Sequence, residues 1–115
     1  MNKAVKKRWI AALRSGKYKQ GRKRLCSIKN GKSKYCCLGV LTDIEYDGYW
    51  YYDKLEGWHI KVPHKEGDYP ESDQLVPELA EKCALSLENV EELIWMNDNE
   101  RCSFKEIANW IQKNL

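Results

Sequence analysis

The sequence predicts an α+β fold in a single domain. Three observations lead there: apolar stripes at helical spacing near both ends, an Asn30-Gly31 pair between two short strand-like runs, and an aromatic stretch broken by Gly and Pro. At 115 residues the chain can bury roughly two-thirds of its unfolded surface. Its 43% hydrophobic content and five Trp argue against disorder despite 32% charged residues. The domain spans 1–115 and reads in three parts: a basic helix-hairpin part at 1–45, an aromatic loop or hairpin excursion at 46–75, and a helical part at 76–115. The expected architecture is an N-terminal helix, a small antiparallel sheet and three further helices that close the core.

Residues 3–14 form the first expected helix, with Val5, Trp9, Ala12 and Leu13 on one stripe and Gly16 as a left-handed cap. Arg14 and Lys17 suit the negative end of its dipole. Lys3, Lys6, Lys7 and Arg8 sit at the positive end, and Lys3 and Lys7 are like charges one turn apart, a local penalty that needs an external or tertiary reason. Arg22–Lys29 and Lys32–Cys37 read as strands around Asn30-Gly31, with Lys29 opposite Lys32. Leu38–Ile44 follows as a short buried helix. The excursion holds Tyr46, Tyr49, Trp50, Tyr51, Tyr52 and Trp58. Helices resume at Pro77–Leu85 and after the cap Ser86, where Leu87, Val90, Leu93 and Ile94 face inward. Asn97–Cys102 reads as a turn, and Ser103-Phe104-Lys105-Glu106 as a capping box opening the last helix.

Charge is divided unevenly along the chain. Residues 1–35 contain thirteen Lys and Arg and no acid; the other seven bases and all seventeen acids follow, the first acid being Asp43. A concentrated cationic surface raises the local concentration of phosphate-bearing ligands, although acids of the same fold or of a neighbouring copy could neutralise it. No run approaches the ~20 apolar residues of a membrane span, and Trp9–Leu13 is too short for a signal h-region. A soluble, cytoplasmic protein is expected. Five Cys, one pair vicinal and none spaced as Cys-x-x-Cys, read as reduced buried thiols, with no metal site and no cofactor motif.

The candidate ligand site begins at Arg14-Ser15-Gly16-Lys17-Tyr18-Lys19-Gln20-Gly21 and runs into Arg22-Lys23-Arg24. Arg14, Lys17, Arg22 and Arg24 would hold phosphates by charge-assisted hydrogen bonds, with Ser15 beside them. Tyr18 and Gln20 would stack on or read a base, and Asn97-Asp98 would add polar contacts. The segment lacks the Gly-x-x-x-x-Gly-Lys-Ser/Thr pattern of a phosphate loop. A helix-turn-helix spacing at Leu79–Val90 is countered by Glu88, Glu91 and Glu92, which would face DNA phosphates. The aromatic stretch interleaves with Glu45, Asp47, Asp53 and Glu56, so partner-protein contact competes there with a half-buried hairpin. Two catalytic constellations are to be weighed: a thiol–imidazole pair of Cys36 or Cys37 with His59 or His64, where buried thiols pack rather than react, and acid pairs such as Asp43 and Asp47, whose one-face spacing is that of most solvated helix faces. No catalytic residues are assigned, and the chain reads as no enzyme.

Taken together, Ala12-Leu13-Arg14-Ser15-Gly16-Lys17-Tyr18-x-Gln20-Gly21, Tyr35-Cys36-Cys37-Leu38-Gly39-Val40-Leu41, Asn97-Asp98 and Ser103-Phe104-x-Glu106-Ile107-Ala108 resemble a family of small accessory proteins of tailed bacteriophages and prophages. The stretch from Tyr46 to Leu75 departs from that pattern. The resemblance implies action in the cytoplasm of an infected bacterium and brings no catalytic residues. It makes counter-defence a natural setting: non-catalytic sequestration of a nucleotide immune signal. The alternatives are nucleic-acid binding by the same cations, with loose sequence preference, and inhibition of a host protein through the aromatic segment. A nucleotide sponge is often built at a subunit interface, which makes a homo-oligomer part of the expectation.

Overall fold

Val5, Trp9 and Leu13 recur every four residues and become the buried face of the first helix, α1 (Lys3–Arg14). Asn2 caps it by accepting from the Val5 N–H, and Gly16 follows at φ +77°. Trp9 is fully buried, and its indole N–H donates to the Cys37 carbonyl at 2.9 Å. The computed structural model describes residues 1–55, 58–64 and 74–115, with backbone alone given for residues 49, 52–55, 58–62 and 64.

Asn30 and Gly31 both take positive φ, 52° and 74°, as a two-residue type I′ turn requires. They join β1 (Cys26–Lys29) to β2 (Lys32–Tyr35) and set Lys29 opposite Lys32. The aromatic excursion supplies a second hairpin, β3 (Tyr49–Leu55) and β4 (Trp58–His64). β4 also pairs with β1, from Cys26↔Lys61 to Ile28↔His59, so both hairpins merge into one antiparallel sheet of order β2-β1-β4-β3. Pro63 lies beyond the last β4 residue paired with β1, so its missing N–H breaks no bond of that ladder. The stretch 65–73, part of the expected loop or hairpin excursion, lies outside the described residues.

Between the hairpins sits α2 (Cys37–Glu45), whose Cys37, Leu38, Gly39, Val40, Leu41 and Thr42 are all buried. A helix apolar on every side belongs inside a core rather than on it. It packs against α1 and against α4 (Leu87–Asp98). The remaining helices are α3 (Pro77–Cys83), with Pro77 in its first turn and Ala84 as a left-handed cap, and α5 (Phe104–Asn114), opened by the Ser103/Glu106 capping box. Phe104, Ile107, Ala108 and Ile111 form the buried face of α5, which lies along α1.

Two local expectations are corrected. Leu87 is 73% exposed rather than inward, because the first turn of α4 overhangs the core that Val90 and Leu93 fill. Asn97 is not in a turn: α4 continues through Asp98, and Asn97 is fully buried.

Gly39 fixes how closely α2 approaches the sheet. A Cβ there would lie 1.8 Å from the Leu25 carbonyl oxygen, and backbone cannot yield as a side-chain tip can. Gly39→Ala is expected to cost at least about 3 kcal/mol, seen as a large drop in melting temperature or as failure to fold. A melting temperature within a few degrees of wild type would show that α2 can retreat from β1.

Candidate functional site

The segment singled out by sequence splits into two groups. One group is consumed by packing. Beyond Gly16 the chain runs along the outside of β2: the Tyr35 N–H donates to the Lys19 carbonyl at 2.8 Å and the Gly21 N–H to the Tyr35 carbonyl at 2.7 Å. Gly21 is needed there, since a Cβ would meet the Lys34 Cβ at 2.9 Å. Gln20 then turns inward, its amide donating to Asn97 Oδ1 at 3.0 Å and to the Cys102 carbonyl at 2.8 Å.

Asn97 is the centre of this arrangement. Its Oδ1 also accepts from the Cys37 N–H at 3.2 Å, and its Nδ2 donates to the Gly21 carbonyl at 3.0 Å and to Asp98 Oδ1 at 2.8 Å. Asp98 Oδ1 accepts in turn from the Lys23 N–H at 3.0 Å. Tyr18 is similarly engaged. Its hydroxyl donates to Asp43 Oδ2, and its ring stands edge-on to Tyr35 at 5.1 Å. Asp43 Oδ1 accepts from the Trp50 indole at 2.8 Å, and burial foremost, then Asp43, raises the Tyr18 phenol well above its ordinary range. A small concavity of about 110 Å³ opens between Thr42, Asp43, Tyr46, Gly48 and Trp50.

The other group lies nearer the surface. Ser15 closes α1, its Oγ donating to the Ala12 carbonyl at 2.7 Å, while Lys17 and Arg22 are exposed and Arg24 is half-buried. Arg14 parts company with them. It joins Lys3, Lys6, Lys7, Ile10 and Ala11 of α1, with Gln112 of α5, around an open groove of about 420 Å³. Arg14 Nη2 donates to Asn109 Oδ1 and Gln112 Oε1, both at 2.8 Å, and Lys6 Nζ to the Gln112 carbonyl at 3.2 Å. The guanidinium is therefore held in place with further N–H groups to spare. No acid lines the groove.

Sequence reading assigned Lys3, Lys6 and Lys7 no ligand, although their cost to the helix was the available signal. Their neighbour Arg8 has a different role: it leaves this face to pair with the buried Glu45 carboxylate through Nε and Nη2, the one ion pair among the described residues.

The thiols offer little to chemistry. Burial pushes Cys36 up to about 12 and Cys37 well above its ordinary value, so both stay protonated and un-nucleophilic at neutral pH. The proposed partners His59 and His64 have side chains outside the described residues. Among the described residues no group of three or more His, Cys, Asp or Glu is placed to hold a metal ion. No described helix is long and apolar enough to cross a membrane.

Two outcomes follow from this geometry. Asn97→Ala would strand the Cys37 N–H and the Gly21 carbonyl, each worth about 1–3 kcal/mol when buried unpaired, and would leave the Gln20 amide with the Cys102 carbonyl as its remaining acceptor. A loss of about 4 kcal/mol in denaturant unfolding is expected; a loss under about 1 kcal/mol would mean water replaces the amide. The raised Cys36 thiol stabilises the fold fully below its ordinary value of 9.0, and that stability is lost as pH climbs through about 12; burial raises Cys37 in the same direction. Cys36 should remove about 1 kcal/mol per pH unit between those two values. Cys36 Sγ caps α2 by accepting from the Gly39 N–H at 3.3 Å, so Cys36→Ser, whose hydroxyl oxygen can accept in its place, should flatten the alkaline decline; an unchanged slope would locate the titration elsewhere.

No curated protein sequence and no solved structure matches the chain. The sequence profile of one family covers it from residue 1 to 115, and the chain belongs to that family, described as a domain of unknown function, DUF8296.

Proposed function

We propose that this protein binds phosphate groups without catalysis and that α1 is the face that receives them. One observation carries the reading: Lys3, Lys6, Lys7 and Arg14 converge on a single open groove that no carboxylate lines. These cations raise the local concentration of anions and offer charge-assisted hydrogen bonds at several points along one helix. The groove floor is Ile10 and Ala11, with no aromatic ring among its lining residues. The phosphates are therefore the recognised feature, rather than the base.

This narrows the role first given to Tyr18 and Gln20, whose hydroxyl and amide N–H groups already have protein acceptors. In the phage setting that the sequence motifs resemble, such binding in the bacterial cytoplasm would sequester a nucleotide immune signal. A short nucleic-acid strand presents the same phosphates.

Titration calorimetry separates the two sources. One arm uses cyclic di- and trinucleotides and ADP-ribose derivatives; the other uses a single-stranded oligonucleotide over a range of salt. Oligonucleotide affinity should fall with a log–log slope of about −0.7 for each phosphate neutralised. Lys7→Ala with Arg14→Ala should weaken whichever ligand binds by roughly tenfold or more, about 1.4 kcal/mol, while Lys17→Ala with Arg22→Ala changes it less. Silence in both arms at micromolar protein would end the proposal, and equal losses from both pairs would move the site off α1.

A further inference from the structure

The acidic half of the chain offers a surface of its own. Among the described residues the large exposed hydrophobics are Tyr51, Leu87 and Trp95, and two of these stand on α4. Trp95 is 54% exposed, and Glu88, Glu91 and Glu92 surround the same outward face. Ser86 and the Val90–Leu93–Asn97 side fix which way α4 faces, so this stripe cannot turn inward.

Its pattern matches the groove of α1. In α1 three charges stand at i, i+3 and i+4 (Lys3, Lys6, Lys7), with apolar Ile10 at i+7. In α4 three charges of the opposite sign stand at the same spacing (Glu88, Glu91, Glu92), with apolar Trp95 at i+7. Both helices are twelve residues long, about 18 Å. Arg14 at i+11 in the first corresponds to Asn99 just beyond the end of the second. An antiparallel approach would bring the three lysines against Trp95 and Asn99; a parallel one sets every lysine near a glutamate and Ile10 against the indole.

We propose that α4 of one copy docks parallel into the α1 groove of a second copy, with Trp95 on the Ile10–Ala11 floor and Glu88, Glu91 and Glu92 against Lys3, Lys6 and Lys7. The two faces are different surfaces of the same chain, so the contact repeats head to tail unless geometry closes it. It rests on exposed charges and so weakens as the screening length falls from about 10 Å at 0.1 M salt to about 3 Å at 1 M.

Size-exclusion chromatography with light scattering tests this on the ligand-free protein, so the result is independent of the phosphate reading. Wild type should run larger than a monomer at about 0.1 M salt and as a monomer at about 1 M. Two charge reversals complete the test: Lys3→Glu with Lys7→Glu, which favours the α1 dipole, and Glu91→Lys with Glu92→Lys on an exposed face. Each alone should be a folded monomer by circular dichroism and light scattering. Mixed, they should assemble again, because every acidic face then meets a basic one. Trp95→Ala, with the charges intact, should also reduce assembly. A monomeric wild type at low salt would overturn the proposal. So would assembly that survives either reversal, or a mixture that stays monomeric.

Discussion

One buried amide holds the two halves of this chain together. Asn97 sits in a helix of the acidic half, yet its partners are Cys37, Gln20 and Gly21 of the basic half. A fully buried side chain with four polar contacts is costly to build badly and rigid when complete. It fixes the entry to α2 and the path of the strand beside β2 simultaneously. Through Gln20 it reaches the Cys102 carbonyl at the approach to α5, so four segments share one reference point.

This changes how the recognisable motifs are understood. Gln20-Gly21, the Cys36-Cys37-Leu38-Gly39 run and Asn97-Asp98 are separated widely in sequence but meet around that amide. Gly39 is bound to Leu25 by close approach, and Gly21 to Lys34. These positions are dictated by packing and hydrogen bonding, and a ligand is not needed to explain them. The cations of α1 have no comparable internal explanation. Arg8 has Glu45, and Arg14 is steered by two amide oxygens, but Lys3 and Lys7 line the groove with no salt bridge among the described residues.

Most of the fold was legible because its local signals agree with one another. Asn30-Gly31 can hardly make anything but a tight hairpin turn, and the observed register sets Lys29 against Lys32 as the turn requires. The Ser103 box and the Val5–Trp9–Leu13 stripe were equally direct. What sequence did not reveal was long-range: β4 joining β1, which depends on a pairing between distant strands that no local pattern encodes. Asn97 was misplaced into a turn because Asn is a weak helix former and a common turn residue. Its helical position depends on partners up to 77 positions away in sequence. Adjacency in sequence groups Arg14 with Lys17 and Tyr18, whereas the helix places it one, two and three turns from Ile10, Lys7 and Lys3.

The distinction between these two kinds of residue is energetic. Gln20 and Asn97 lower the free energy of the folded chain by satisfying buried groups. Lys3 and Lys7 raise it: Lys3 lies in the first turn, at the positive end of the α1 dipole, and the two lysines repel each other one turn apart. α1 tolerates this because Trp9 is fully buried against α2 and bonded to the Cys37 carbonyl. Removing the lysines should therefore make the isolated fold more stable, and that direction is what separates a charged surface kept for an external partner from one kept for the fold. An anion, or the glutamate stripe of a neighbouring α4, turns the same repulsion into a binding term, because each lysine it neutralises relieves the helix as well as making a contact.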